Sequence, residues 1–101
     1  MSDSGARTIF REMGYSRAEF ERVLPAAMRD WLVTGGPDVW RISTLDGGGI
    51  ATIRTEVMAE RKIGSLQLPV LAVTIELIAA SSDLADEFVR RFERGFHRGG
   101  G

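Results

Sequence analysis

From Ser16 to Leu32 the apolar residues fall on one helical stripe: Phe20, Val23, Leu24, Ala27, Met28, Trp31 and Leu32 recur at steps of three, four and seven. Arg17, Glu21, Arg22, Arg29 and Asp30 occupy the other side. Ser16 and Glu19 have the spacing of a capping box, in which hydroxyl and carboxylate each satisfy a free backbone N–H, and Tyr15 and Phe20 are placed to staple the entry. The pattern predicts a helix from Ser16 that ends before Gly35-Gly36-Pro37. Pro25 removes one donor inside it and predicts a kink near Leu24, because the stripe continues in phase. Upstream, Thr8 to Met13 reads as a short helical turn closed by Gly14.

From Val39 the period changes to two. Trp40, Ile42 and Thr44 alternate with Arg41, Ser43 and Leu45, and Asp46-Gly47-Gly48-Gly49 then supplies turn residues that accept positive φ. Ala51, Ile53, Thr55, Val57 and Ala59 point one way, with Thr52, Arg54, Glu56, Met58 and Glu60 opposite. Arg61 to Ser65 reads as a second turn. In the next strand Leu71, Val73, Ile75 and Leu77 share a face, and Pro69 belongs at a strand start or on an exposed edge. Strands joined by such short turns are antiparallel neighbours. A last helix begins at Ser81 or Ser82, with the stripe Leu84, Ala85, Phe88, Val89, Phe92 and Phe96.

The expected fold is therefore α+β: a two-layer α-β-β-β-α arrangement. A three-stranded antiparallel meander is covered on its apolar face by the N- and C-terminal helices, and its other face meets water. The 101 residues suffice for one domain with one core. Its ordered part is expected at about 8–97, between a flexible N-terminus and the tail Gly99-Gly100-Gly101.

Composition narrows the chemistry. The chain is 44% hydrophobic and 27% charged, as globular domains are, and its net charge of −1 gives no general pull toward nucleic acid or anionic membranes. With no cysteine and one histidine, disulfides, thiolate sites and the common transition-metal sites are not expected. No cofactor is implied. Met1 to Gly5 lacks a signal-peptide core, and Leu66 to Ala80 is too short and too polar to span a bilayer. By elimination, the expected location is cytoplasmic.

Two groups of residues are candidate contact sites. Arg90, Arg91, Arg94, His97 and Arg98 form the densest cluster of basic side chains, an anion or nucleic-acid contact in one reading. In the other they are a solvated helix end whose cations suit the helix dipole and pair with Asp86 and Glu87. Arg41, Arg54, Glu56, Met58 and Glu76 share the polar sheet face, where a cross-strand charge lattice accounts for the ions without catalysis. Any aromatic left outside the core would mark a contact surface.

The element order is also that of double-stranded-RNA-binding domains. Here, however, the last helix opens Ser81-Ser82-Asp83-Leu84-Ala85-Asp86-Glu87, acidic where that family grips phosphate, so the likeness stops at topology. Arg98-Gly99-Gly100-Gly101 resembles the diglycine tail of ubiquitin-like sulfur carriers in two residues, but it follows a helix instead of a strand. The reading that remains is a small non-catalytic interaction or accessory domain. Its partner would be another protein or a second copy, and the alternative is weak anion or nucleic-acid binding through the C-terminal arginines.

Overall fold

The computed structural model describes residues 7–79 and 81–97. Among the described residues seven elements follow one another: β1 (Arg7–Met13), α1 (Arg17–Met28), β2 (Leu32–Gly35), β3 (Val39–Ser43), β4 (Gly49–Ile63), β5 (Leu66–Leu77) and α2 (Ser82–Gly95). The strands form one antiparallel sheet in the order β1-β5-β4-β3-β2. The expected meander is β3-β4-β5, and β2 and β1 extend it by one strand at each edge. The expected flexible ends fall on residues outside those described.

The capping box forms as its spacing requires. The Glu19 N–H donates to Ser16 Oγ at 3.1 Å and the Ser16 N–H to Glu19 Oε1 at 2.9 Å. The helix runs through Pro25, whose ring is exposed, and stops at Met28. This is earlier than the apolar stripe suggests. Arg29 takes a left-handed φ of 61°, and the β-branched Val33 and Thr34 pass into β2. Trp31 and Leu32 keep helical phase only by coincidence. Thr8 to Met13 is likewise strand and not a helical turn. Its period is two, with Ile9, Arg11 and Met13 opposite Ile75, Val73 and Leu71, and with Thr8, Phe10 and Glu12 on the reverse face.

Both helices cover the same side of the sheet. Ile42, Ala51, Ile53, Leu71, Val73, Ile75 and Leu77 are buried beneath Phe20, Leu24, Met28, Phe88 and Phe92. Each large side chain so buried contributes about 1.5–3 kcal/mol. Between the helices Phe20 stacks on Phe96 at 4.8 Å, and along α2 Phe88 stacks on Phe92 at 5.8 Å while Phe92 meets Phe96 tilted at 4.6 Å between centroids. Tyr15 meets Phe96 edge-on and donates its hydroxyl proton to the Phe96 carbonyl at 3.2 Å. The phenylalanines of α2 are thus spent on two partners, the sheet and α1. Ser81 caps α2 by accepting from the Leu84 N–H at 3.2 Å.

Gly95 sits where the helices come closest. A Cβ there would meet the Ala27 backbone at 3.0 Å and collide with the Ala27 side chain. Its absence of a side chain, which weakens a helix in isolation, sets the packing distance.

Candidate functional site

β4 and β5 run on past the ends of β3 and β1. Pairing of β3 with β4 ends at Arg54 and of β1 with β5 at Leu71, while β4 and β5 stay paired to Ile63 and Leu66. The result is a two-stranded arm, and the molecule measures 48 × 30 × 25 Å. The turn at its tip is only Gly64-Ser65, with Gly64 at φ 61° in the first central position, as a type II′ hairpin requires. The expected turn over Arg61 to Ser65 is thus mostly strand. Pro69 lies beyond the end of β1, where its missing N–H costs no ladder bond.

A bulge decides which side chains share a face on this arm. Met58 pairs with Val70, but Arg61 pairs with Leu68, so β4 carries one extra residue between them. Simple alternation would put Arg61 and Ile63 on the helix side. The bulge reverses them, and Ile63 joins Met58, Leu66, Leu68 and Val70 on the side that no helix covers. Their exposure is high for apolar residues: Ile63 55%, Leu66 61%, Met58 40% and Leu68 39%. Arg61 turns with them and reaches Glu12 on β1 at 3.5 Å. Farther along the same face Phe10, on β1, is 71% exposed.

The residues singled out on the polar sheet face lie together as expected. Glu76 and Arg41 both sit opposite Thr52 from either side, Arg54 lies between Thr74 and Val39, Glu56 faces Ala72, and Met58 faces Val70. All five are exposed. Each charge faces a Thr, Ala or Val across the strand, so the cross-strand lattice of opposite charges is not formed. Where β3 stops, a notch of about 560 Å³ opens beside Arg54, Glu56 and Thr74, with Arg17 held to Asp38 at 2.9 Å on its rim.

The C-terminal basic cluster is divided. Arg91 donates to Glu87, to Asp30 and to the Met28 carbonyl at 2.9, 2.9 and 2.7 Å, and its guanidinium lies 3.8 Å from the Trp31 ring centroid. Desolvation alone would lower its pKa, but the hydrogen bonds to Glu87 and Asp30 outweigh this and raise it. The Glu87 carboxyl is held below its ordinary range by Arg91 first and Arg90 second, and that of Asp30 chiefly by Arg91. Arg90 binds Glu87 at 2.7 Å. Arg94 and His97 are exposed, and Arg98 lies outside the described residues. Two of the five are therefore engaged within the fold: Arg90 binds along α2, and Arg91 joins α2 to the turn after α1.

A second groove, of about 450 Å³, lies between the end of β1 and the end of α2. Phe92, Phe96 and Tyr15 form its floor, and the Arg11–Glu93 pair at 2.8 Å and His97 lie on its wall. Asp46, in the β3–β4 turn, is held below its ordinary pKa by the Thr44 hydroxyl and then by the Gly48 backbone. Among the described residues no three His, Cys, Asp or Glu side chains gather as a metal site, and no helix is long and apolar enough to cross a membrane.

Sequence reasoning missed Phe10, Ile63, Leu66 and Leu68. Period two across Thr8–Met13 was the available signal for Phe10. For Leu66 and Leu68 the unbroken alternation of β5, which sets them on the face of Ala72, Thr74 and Glu76, was the signal; for Ile63 nothing in local alternation announces the bulge in β4. No protein-family model matches the chain, and no curated protein sequence matches it.

Proposed function

We propose that this domain is a non-catalytic interaction module that docks another protein on the uncovered face of its sheet, centred on the β4–β5 arm. The observation that carries the reading is the apolar strip of Met58, Ile63, Leu66, Leu68 and Val70. It stands outside the helix cover and is bordered by Glu12, Glu56, Arg54 and Arg61. An exposed apolar patch rimmed by both signs of charge is the usual signature of a protein contact. The competing anion reading is disfavoured by Arg90 and Arg91, whose charges are already matched by Glu87 and Asp30.

The test is capture of partners from native lysate, with nuclease and at low and high salt, by the wild-type chain and two variants. The expected result is one stoichiometric protein that survives nuclease and high salt. It should be lost with Met58→Asp/Leu68→Asp and kept with Arg90→Ala/Arg94→Ala. Nucleic acid that is released by salt and lost with the arginine variant would overturn the proposal. So would saturable turnover abolished by Glu56→Gln or Glu76→Gln.

A further inference from the structure

We infer that β1 pairs edge to edge with the β1 of a second copy, antiparallel and centred on Phe10, joining two five-stranded sheets into one of ten strands. This uses a strand edge and not the open face, so it stands independently of the docking proposal above.

The free edges differ in how they are guarded. β2 is only four residues long and runs into Gly36-Pro37. The outer edge of β5 along the arm carries Pro69, and that of β4 is broken by the bulge after Met58 and carries Glu60, Arg61 and Lys62. β1 offers seven residues, Arg7–Met13, with neither Pro nor Gly, and beyond β5 it has no neighbour among the described residues. Such an edge is a template for another strand.

Its hydrogen-bonding phase follows from the ladder. Thr55 donates its N–H to the Asp38 carbonyl on the β3 side, and Ile78 donates to Ile50 on the β4–β5 side. Alternation from these points turns Val73, Ile75 and their odd-numbered neighbours on β5 toward β1. Arg7, Ile9, Arg11 and Met13 therefore bond to β5, and Thr8, Phe10 and Glu12 present their N–H and C=O groups to the free edge. The Phe10 carbonyl illustrates this: it accepts from the Arg11 guanidinium at 3.1 Å.

Phase and charge together select one register. Outward groups must face outward groups, so the two-fold axis passes through a residue. Placed on Ile9, it sets Arg7 against the partner's Arg11. Placed on Arg11, it sets that residue against its own copy. Placed on Phe10, it pairs all seven residues with no like charges opposed: Arg7 with Met13, Thr8 with Glu12, Ile9 with Arg11, and Phe10 with Phe10. The three outward-facing pairs each exchange two backbone bonds, and the two exposed phenyl rings come side by side as a cross-strand aromatic pair. Arg11 must release the Phe10 carbonyl, and it keeps its 2.8 Å bond to Glu93. The edge thus carries its own removable cap.

The test combines molecular mass in solution with cysteine cross-linking, which is clean because the chain has no cysteine. The wild type should show a concentration-dependent dimer by sedimentation. Phe10→Pro, which removes an outward N–H and leaves the β5 ladder intact, should be folded and monomeric. Met58→Asp/Leu68→Asp should remain dimeric. Phe10→Cys should cross-link on mild oxidation, since opposed Cα atoms about 5.5 Å apart are within disulfide reach. Thr8→Cys should not, since its copies lie four positions, about 13 Å, apart. A wild-type monomer up to several hundred micromolar would overturn the proposal, as would a dimer that cross-links as readily at position 8 as at position 10. If Phe10→Pro does not fold, the cysteine pair decides alone.

Discussion

Arg91 ties α2 to the turn that follows α1, and its neighbours show what the tie is made of. It binds two carboxylates and a backbone carbonyl and lies on the Trp31 ring. Replacing it with methionine keeps the aliphatic stem but leaves the Met28 carbonyl without that donor. Arg91→Met is expected to cost about 1–3 kcal/mol, read from urea unfolding. The same variant should change the response to acid. Glu87 and Asp30 titrate below their ordinary values in the folded chain. Their contribution is complete above the ordinary carboxylate pKa and is lost as pH falls through the lower folded values. With Arg91 gone the larger part of that contribution is gone at neutral pH already, while Arg90 keeps its share at Glu87. The variant's stability should therefore decline less steeply than the wild type's below about pH 5. An unchanged acid limb would assign the two shifts to some other cause.

At the scale of elements, the crossing of α1 over α2 depends on one missing methyl group. In an exposed helix Gly→Ala gains about 1 kcal/mol. At Gly95 the new Cβ runs into Ala27, and a clash in a packed interface costs about 1–3 kcal/mol. Gly95→Ala is therefore expected to lower the unfolding midpoint, and Ala27→Gly in the same chain to restore part of the loss. A stabilised single variant would show that the helices can separate at no cost. Element boundaries were where the sequence was hardest to read. The start of α1 was legible because a capping box is local chemistry. Its end was not: Trp31 and Leu32 keep helical phase, whereas the stop comes from the backbone conformation of Arg29. β1 left only a weak mark: Thr8–Met13 alternates, but the contrast between a face with half-buried Ile9 and Met13 and one with exposed Phe10 is small.

Across the whole molecule, the two-layer arrangement followed from counting faces. One apolar sheet face needs a cover, and the two helical stripes at the ends of the chain supply it. The shared face of Arg41, Arg54, Glu56, Met58 and Glu76 was legible on the same grounds, because a period of two is unambiguous up to Met58. Beyond Met58 the bulge inverts the alternation of β4, so a strict period misassigns Arg61 and Ile63, whereas Leu66, Leu68 and Val70 keep the phase of β5. Of the acids expected to pair with the basic cluster, Glu87 binds Arg90 and Arg91, whereas Asp86 lies beside Arg7 and the Arg91 side chain is mostly covered instead of solvated. Asp30, contributed from 61 residues away along the chain, is a tertiary partner that no local window contains.

The place of β1 beside β5 also sets an order in time. Its ladder joins residues 58 to 70 positions apart (71 − 13 and 77 − 7), whereas each neighbouring pair from β2 to β5 closes through a short turn. Closing so large a loop costs the most chain entropy, so β1 is expected to be laid down last, and its topology places the domain among slower folders. Until it arrives, the row of odd-numbered amides on β5 is bare. During synthesis β1 is made before its partner β5 and must wait for it, and until the two join, the bare amides of β5 need protection from neighbouring chains.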